Sequence, residues 1–247
     1  MKVICNGVYD IHCHIMFDVD DGSKNKEQSE RMLQIAYEEG IRNIILTPHY
    51  NRRYWEVPKE TIIEKFHILE QYVNEKYDDM TLYLGNEIFW GGDTLEDLKN
   101  RQICTMSGSR YVLVEFMTNI PYSKIKKAVE ALIQEDYIPI LAHVERYECI
   151  FEEPALAEEL IEMGAYCQVN AESVTGDRGY KVKKVVKGLL KNDCVHFIAT
   201  DAHRDDKRQP FIKNAYVYVA KKFGQDTADR IFKENPRRVI EDEYVEE

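Results

Sequence analysis

The sequence lacks the features that mark membrane proteins, secreted proteins and thiolate zinc sites. It has no apolar stretch approaching the roughly 20 residues that a transmembrane helix needs. Its first residues pass directly into a strand-like run, without the long apolar segment and small-residue cleavage site of a signal peptide. None of the six cysteines forms a C-x-x-C pair, so no zinc or redox motif is indicated. We expect a cytoplasmic protein with reduced cysteines and no membrane span.

Positive charge is also scarce in this chain. It has 33 Lys and Arg residues against 44 Asp and Glu residues, which gives a formal net charge of −11. A protein that binds the phosphate backbone of nucleic acid needs clustered Lys and Arg, so nucleic acid is a poor candidate partner. A compact acidic site is instead suited to binding cations.

The chain shows no obvious internal boundary. We find no linker rich in Gly, Pro or Ser, no low-complexity tract and no repeated segment. A length of 247 residues is ordinary for one α/β barrel. We therefore expect a single domain over residues 1–247.

Short apolar runs of strand length alternate with helical patterns along the chain. Strands are predicted at 8–11, 43–47, 81–84, 111–114, 138–142, 166–169 and 196–200. Helices are predicted at 27–39, 58–77, 123–134, 154–163, 180–191 and 211–223, with a short one at 94–99. Residues 235–238 are expected to be a helix end followed by a short tail. This alternation predicts an α/β fold, a seven-stranded TIM-like (β/α)7 barrel, with an open parallel sheet as the alternative.

Side chains of the types that bind metals follow six of the seven predicted strands. In His12-Cys13-His14 the i, i+2 spacing points both imidazoles to the same side of an extended chain. Parallel barrels keep their active sites at the C-terminal edge of the strands, where these residues lie. The candidate ligands are His12, His14, His49, Glu87, Glu115, His143, Asp201 and His203.

This ligand set predicts a site with more than one metal. Imidazole and carboxylate without thiolate suit Mn, Fe, Zn or Co, and eight groups exceed the roughly three or four protein ligands of one catalytic zinc. We predict two or three divalent cations, with Glu87 and Glu115 as bridges. Histidines and acids that only hydrogen-bond to each other are the alternative. We exclude His67, in a predicted helix, and His196, at the opposite end of the seventh strand.

Two arginines are candidates for binding phosphate. Arg146 and Arg208 follow strand ends, and a guanidinium group matches phosphate oxygens in a two-pronged contact. Ordinary surface ion pairs are the alternative for both. Arg52 and Arg53, after His49, are weaker candidates of the same kind.

A second motif suggests a different phosphatase chemistry. Cys104 and Arg110 have the C-x5-R spacing of the cysteine-nucleophile tyrosine phosphatases. That chemistry needs a loop that leads into a helix, because helix N-terminal amides bind the phosphate and lower the thiol pKa. Here the arginine leads into a predicted strand. We therefore predict that Cys104 is not a nucleophile.

Taken in order, the motifs resemble the PHP superfamily, named for polymerase and histidinol phosphatase, and more closely its bacterial capsule-associated protein-tyrosine phosphatase branch. They are D-I-H-C-H at 10–14, F-D-V-D-D-G at 17–22, T-P-H at 47–49, G-N-E-I at 85–88, L-V-E-F at 113–116, A-H-V-E-R-Y at 142–147, Q-V-N at 168–170 and T-D-A-H at 200–203. Cys13 stands where Ser is more usual and Pro48 where the branch can carry Ser. Neither change removes a candidate ligand.

The resemblance implies a distorted seven-stranded barrel of PHP type and a trinuclear site often described with manganese; Fe, Zn, Co or Mg are alternatives. It implies hydrolysis of phosphotyrosine, which we expect to use a metal-bridging hydroxide, on an autophosphorylated bacterial tyrosine kinase that controls capsular or exopolysaccharide synthesis. It assigns metal binding to the eight candidate ligands and phosphate binding or catalysis to Arg146 and Arg208. A phosphatase of small metabolites such as histidinol phosphate, a nuclease and a noncatalytic metal-binding regulatory module are the alternatives.

Overall fold

The centre of the molecule is a curled, parallel β-sheet. In the computed structural model, which describes residues 3–55 and 57–245, nine short strands form two sheets. The strands are β1 (Val8–Asp10), β2 (Ile41–Leu46), β3 (His49–Tyr50), β4 (Thr81–Leu84), β5 (Glu87–Phe89), β6 (Tyr111–Glu115), β7 (Ile138–Leu141), β8 (Tyr166–Asn170) and β9 (Phe197–Ala199). One sheet has the order β1-β2-β4 and the other β3-β5-β6-β7-β8-β9. Every pairing between these strands is parallel.

Two of the predicted strands are each followed, after a break of two residues, by a second short strand that was not predicted. Thr47 and Pro48 separate β2 from β3, and Gly85 and Asn86 separate β4 from β5. Pro48 has no backbone N–H to donate to a ladder. Its carbonyl accepts a hydrogen bond of 2.9 Å from the Asn86 side chain, which joins the two breaks. The α/β class and the curled parallel sheet are confirmed, whereas the count of seven strands stays a prediction.

Hydrogen bonds beyond the ends of β1 and β9 bring the two sheets together. Cys13 and Ala202 form an isolated parallel bridge. The His14 amide donates to the Ala202 carbonyl at 2.8 Å, and the Asp201 amide donates to the His12 carbonyl at 2.8 Å. The predicted ligands after the first and last strands therefore lie side by side.

Side chains of the strands alternate between two hydrophobic clusters. In β6, Tyr111 and Leu113 belong to one buried cluster, while Val112 and Val114 belong to the other. Successive residues of a strand point to opposite faces, so Glu115 continues the face of Tyr111 and Leu113. The Glu115 carboxylate, at the end of β6, therefore lies on the face of the sheet that carries the cluster of Tyr111 and Leu113.

Eleven α-helices accompany the strands in the described ranges. They are α1 (Lys26–Glu38), α2 (Lys59–Lys76), α3 (Thr94–Lys99), α4 (Tyr122–Gln134), α5 (Glu148–Glu152), α6 (Leu156–Glu162), α7 (Ala171–Thr175), α8 (Tyr180–Lys191), α9 (Lys213–Phe223), α10 (Gln225–Asp229) and α11 (Asn235–Ile240). All the predicted helices are confirmed with small shifts of their bounds. Within the described ranges, none of the helices combines the length and the apolar character that crossing a membrane requires.

The prediction for residues 235–238 is wrong. They begin α11 instead of ending a helix, and a π-helical turn, Arg230–Glu234, leads into it. Pro236 lies in the first turn of α11, directly after the π-helical turn. The helical backbone therefore continues through the residues that were expected to end it.

The two excluded histidines have structural surroundings. His196 lies directly before β9, is 7% exposed, and its Nδ1 accepts a hydrogen bond of 3.1 Å from the Cys167 amide. Its ring packs edge-on against Tyr166 with centroids 4.9 Å apart, and burial lowers its pKa to about 4. His67 lies on the exposed side of α2, 3.1 Å from a carboxylate oxygen of Glu70.

We predict that His196 makes the free energy of unfolding fall as the pH drops from about 6.5 to about 4. In that range the unfolded chain binds a proton that the folded chain excludes, and below it the loss levels off. His196→Asn keeps an acceptor for the Cys167 amide without titrating. In denaturant unfolding of metal-free protein, the stability difference between wild type and variant should shrink by about 3 kcal/mol over this range. A difference that is independent of pH would contradict the prediction.

Candidate metal centre

Glu87 lies at the centre of the eight predicted ligands, at the C-terminal edge of the strands. Its Oε2 is 3.1 Å from Nε2 of His12, 3.0 Å from Nε2 of His14 and 3.1 Å from Nδ1 of His49. Its Oε1 is 3.0 Å from Nε2 of His143. One buried carboxylate therefore contacts four imidazoles that come from three other strand positions.

The other two predicted carboxylates extend this cluster on either side. Glu115 is 3.2 Å from Nδ1 of His49 and 3.5 Å from Nε2 of His143. Asp201 Oδ1 is 3.5 Å from Nδ1 of His203. It is also 3.5 Å from Nε2 of His12 and from Nε2 of His14. All eight side chains named from the sequence thus meet in one place.

Three groups of donor atoms could each hold a cation. Within a group, the donor atoms lie within 4.8 Å of one another. Among the described residues these groups are His12, His14, Glu87 and Asp201; His49, Glu87 and Glu115; and His14, Asp21, His49 and His203. Glu87, His14 and His49 each belong to two of them, and of these three only the carboxylate has two oxygens to share between cations. His143 belongs to none, although it lies close to Glu87.

Asp21 is a member of the cluster that sequence reasoning missed. Its Oδ1 is 3.4 Å from Nε2 of His49 and 3.5 Å from Nε2 of His203, and the side chain is 52% exposed. Asp21 lies in the loop after β1 and not at a strand end, so the strand-end rule could not select it. The available signal was its place in the F-D-V-D-D-G motif.

Asp20, also unassigned from the sequence, holds two of the imidazole-bearing segments in place. Its Oδ2 accepts hydrogen bonds of 2.7 Å from His14 Nδ1 and 2.9 Å from the His49 amide. Its Oδ1 accepts a hydrogen bond of 2.9 Å from the Gly22 amide. A Cβ atom on Gly22 would lie 2.2 Å from the His14 carbonyl oxygen, so this loop closes only around glycine. The contact leaves His14 Nε2 turned toward Glu87.

A buried amide network orients the opposite side of the cluster. Gln168 Oε1 is 3.1 Å from His12 Nδ1 and accepts a hydrogen bond of 2.8 Å from the His143 amide. Its Nε2 donates to Asn170 Oδ1 at 3.0 Å, and Asn170 Nδ2 donates to Asp201 Oδ2 at 2.8 Å. Partners of this kind fix the ring orientation of metal-binding histidines.

The backbone is strained at three of the candidate residues. His143, Asp201 and Arg208 have φ angles of 35°, 51° and 52°, in the left-handed region that glycine adopts most easily. A side chain at such a position costs conformational energy, and such residues cluster at functional sites. Side chains that are kept at these three positions despite this cost are candidates for a functional role.

Contacts between the imidazoles and the carboxylates shift the pKa values of both kinds of group. Burial disfavours a charged imidazole at His143, but hydrogen bonds to Glu115 and Glu87 outweigh it and raise its pKa to about 9. Burial likewise opposes charge on Glu87, yet His12 and His49 hold the pKa of that carboxyl well below its usual range. Burial also opposes charge on Asp201, whose pKa nevertheless falls well below normal because His12 is near. The carboxylates stay ionised and able to bind positive charge.

The donor set fits divalent cations. Glu87 Oε2 is buried and has no hydrogen-bond partner of acceptable geometry, although three imidazole nitrogens lie within 3.1 Å of it. Hydrogen bonds alone thus leave the central oxygen unsatisfied, and a buried polar atom of this kind is costly. Imidazole nitrogen and carboxylate oxygen are donors that Mn, Fe, Zn and Co accept.

Arg146 and Arg208 converge on the far oxygen of Asp201. Arg208 Nη2 is 2.6 Å and Arg146 Nη1 is 3.6 Å from Asp201 Oδ2. The Arg208 side chain is 30% exposed and the Arg146 side chain is 42% exposed, so both remain accessible from solvent. Asp201 therefore separates the imidazole cluster from a pair of guanidinium groups.

The weaker arginine candidates point elsewhere. Arg52 forms an ion pair with the buried Asp97, and Arg53 lies over the Tyr54 ring at 5.4 Å from its centre. Neither forms one of the observed ion pairs of the cluster.

The C-x5-R segment has none of the geometry of a phosphate-binding loop. Arg110 donates hydrogen bonds to Asp242 and Tyr244 near the C-terminus. The Cys104 amide donates to Asn86 Oδ1 at 2.8 Å, and burial raises the pKa of the Cys104 thiol. A raised thiol pKa opposes formation of the nucleophilic thiolate. These observations agree with the sequence-based rejection of this motif.

Comparison with known proteins gives a consistent assignment. Residues 8–241 match the family model for capsular polysaccharide synthesis, CpsB/CapC. The chain is 36% identical over 241 residues to the tyrosine-protein phosphatase CpsB of Streptococcus pneumoniae, which covers 96% of this chain and 99% of that protein. It superposes with a TM-score of 0.90, at 29% identity and over 96% of both chains, on a crystal structure from a study of YwqE of Bacillus subtilis and CpsB of Streptococcus pneumoniae, described as metal-dependent tyrosine phosphatases. A histidinol phosphate phosphatase from Lactococcus lactis shares the fold, with a TM-score of 0.57 at 15% identity over 87% of this chain and 93% of that one.

We predict that Asp20→Asn weakens the binding of Mn²⁺ by about 10- to 100-fold, because the amide removes an ionised acceptor from His14 and the His49 backbone. Asp18→Asn is the matched control, since Asp18 is 79% exposed and pairs only with Lys65 among the ion pairs observed. Calorimetric titration of metal-free protein measures both affinities. Equal affinities for the two variants would remove Asp20 from the support of the site.

Proposed function

The chain belongs to the CpsB/CapC family of capsular polysaccharide synthesis, and we propose that it acts as a metal-dependent protein-tyrosine phosphatase. The observation that carries this function is the arrangement around Asp201. One of its oxygens faces imidazoles and the other faces Arg146 and Arg208. A phosphate group bound there would meet positive charge on both sides.

We infer that the eight predicted ligands, together with Asp21, hold two or three divalent cations. Glu87 and Glu115 are the proposed bridging ligands; Glu87 belongs to two of the three donor groups and Glu115 to one. Mn²⁺ is the proposed metal, and Fe, Zn, Co and Mg are alternatives with compatible donors. Bound cations would supply a water nucleophile of lowered pKa and positive charge for the phosphate oxygens.

The protein's own groups bind and orient the phosphate. Arg146 and Arg208 would exchange part of their contact with Asp201 for charge-assisted hydrogen bonds to the nonbridging oxygens. Asn170 keeps a hydrogen bond of 2.8 Å to Asp201 Oδ2, so that carboxylate stays fixed when the arginines turn to substrate. A phenol has a pKa of about 10, so the departing tyrosinate asks less of a general acid than an alkyl alkoxide does.

The substrate we propose is phosphotyrosine on an autophosphorylated bacterial tyrosine kinase that controls capsule synthesis. The names of the relatives support phosphotyrosine, and the family description supports a link to capsule synthesis, whereas the kinase follows from the family resemblance alone. The similarity to a histidinol phosphate phosphatase concerns the fold alone and does not favour that metabolite. A cytoplasmic location, a single domain and one closed barrel of seven strand positions belong to the same proposal.

We predict that Arg146→Ala and Arg208→Ala each lower kcat/KM for a phosphotyrosine peptide. The fall should correspond to a loss of about 2 to 4 kcal/mol of transition-state stabilisation, by analogy with the loss of one oxyanion donor. Cys104→Ser should stay close to wild type, because burial raises the pKa of its thiol and so opposes formation of a thiolate nucleophile. Steady-state kinetics gives these values, and elemental analysis shows whether the metal content is retained.

The opposite pattern would contradict the proposed chemistry. If Cys104→Ser is inactive with its metals in place, and both arginine variants turn over normally, the thiol must be the nucleophile. An unactivated hydroxyl cannot replace a thiolate nucleophile without severe loss.

A further inference from the structure

The two arginines proposed to bind phosphate are held in different ways. Arg208 Nη2 is 2.6 Å from Asp201 Oδ2, whereas Arg146 Nη1 is 3.6 Å from the same oxygen, which is too far for a hydrogen bond. The Arg146 guanidinium donates no hydrogen bond within the described part of the chain, and a cavity of about 360 Å³ lies beside it. The direction of this side chain must therefore come from the backbone that carries it.

That backbone is a tight turn shortly after β7. The turn, Val144–Arg146, follows His143 with its φ angle of 35°, and the Arg146 amide donates to the His143 carbonyl at 2.9 Å. Val144 is fully buried in the core and Glu145 is 1% exposed. Of the three residues in the turn, Arg146 alone reaches solvent, and the other two hold the turn in place.

A buried glutamate is an unexpected residue for this turn. Glu145 forms no ion pair with any other described residue, and burying a carboxylate without one is costly. Its Oε1 accepts a hydrogen bond of 3.0 Å from the Asn170 amide, at the end of β8. The carboxylate therefore fastens the turn to a neighbouring strand.

The same strand end also holds Asp201. Asn170 Nδ2 donates to Asp201 Oδ2 at 2.8 Å, and this is the oxygen on which Arg146 and Arg208 converge. Glu145 and Asp201 are thus both bound to Asn170, one through the backbone amide and the other through the side chain. This shared contact fixes the turn that carries Arg146 relative to the place where phosphate is proposed to bind.

We propose that Glu145 is the positioning residue for Arg146, and that its contact with the Asn170 amide holds the guanidinium ready for phosphate. The inference rests on the function proposed above, because it takes phosphate as the group that Arg146 binds. A group already held in its binding geometry loses less entropy when the ligand arrives. On charge alone, removal of a carboxylate would strengthen the binding of an anion or leave it unchanged. Positioning predicts the opposite, a loss of phosphate affinity.

The test measures the affinity of Mn²⁺-loaded protein for inorganic phosphate by calorimetric titration. Glu145→Ala should bind phosphate about 10-fold more weakly than wild type, and Glu145→Gln, which keeps an oxygen acceptor for the Asn170 amide, should stay within about 2-fold. Glu148→Ala is the matched control, because Glu148 is an exposed glutamate that lines the same cavity three positions further on. It should bind phosphate like wild type.

A double-mutant cycle separates positioning from a general effect on stability. In the Arg146→Ala background, Glu145→Ala should change phosphate affinity by less than about 2-fold, because the group that Glu145 positions is already absent. In the Arg208→Ala background the loss should remain, since Arg208 is held by Asp201 directly. Elemental analysis should show the same metal content in every variant. If Glu145→Ala does not fold, Glu145→Asp gives the same comparison, because it keeps the charge and withdraws the carboxylate from the Asn170 amide.

Equal losses in the wild-type and Arg146→Ala backgrounds, wild-type affinity in Glu145→Ala, or a fall in the metal content of that variant would each overturn the proposal. Turnover of a phosphotyrosine peptide by the wild type is measured separately. A protein that binds phosphate without turning over the peptide would contradict the proposed function alone. The cycle would still decide the role of Glu145, because it depends only on binding.

Discussion

The central constraint on this structure is the burial of the Glu87 carboxylate among four imidazoles. Each of these groups loses solvation when the chain folds, and their mutual contacts leave one oxygen of Glu87 without a hydrogen bond. Bound cations would satisfy that oxygen. Asp20 and Gln168 hold the rings in the orientation that such binding requires, and the strained backbone at His143 and Asp201 delivers two further side chains.

The parallel sheet explains why this cluster can form at all. Strand ends meet at one edge, so residues far apart in the chain become neighbours without long loops. The same edge supplies the arginine pair that contacts Asp201.

The sequence predicted the eight clustered side chains because they lie at strand ends or directly beyond them, where a periodic pattern fixes their position. Asp20 and Asp21 escaped that rule, since they lie in a loop whose path depends on the contact between Gly22 and the His14 backbone. The strand breaks at Pro48 and Gly85 depend on hydrogen bonds across the sheet, which no local pattern records. Residues 235–238 continue from a π-helical turn into α11, a continuation that no local pattern records.

The most direct test of the account is the turnover of a phosphotyrosine peptide by protein stripped of metal. Elemental analysis must first show that the chelated protein contains no divalent metal. Metal-free protein should be inactive, and Mn²⁺ should restore turnover as the site fills, because the proposed nucleophile is a water activated by bound cations and not a side chain. Full turnover by metal-free protein would contradict the account.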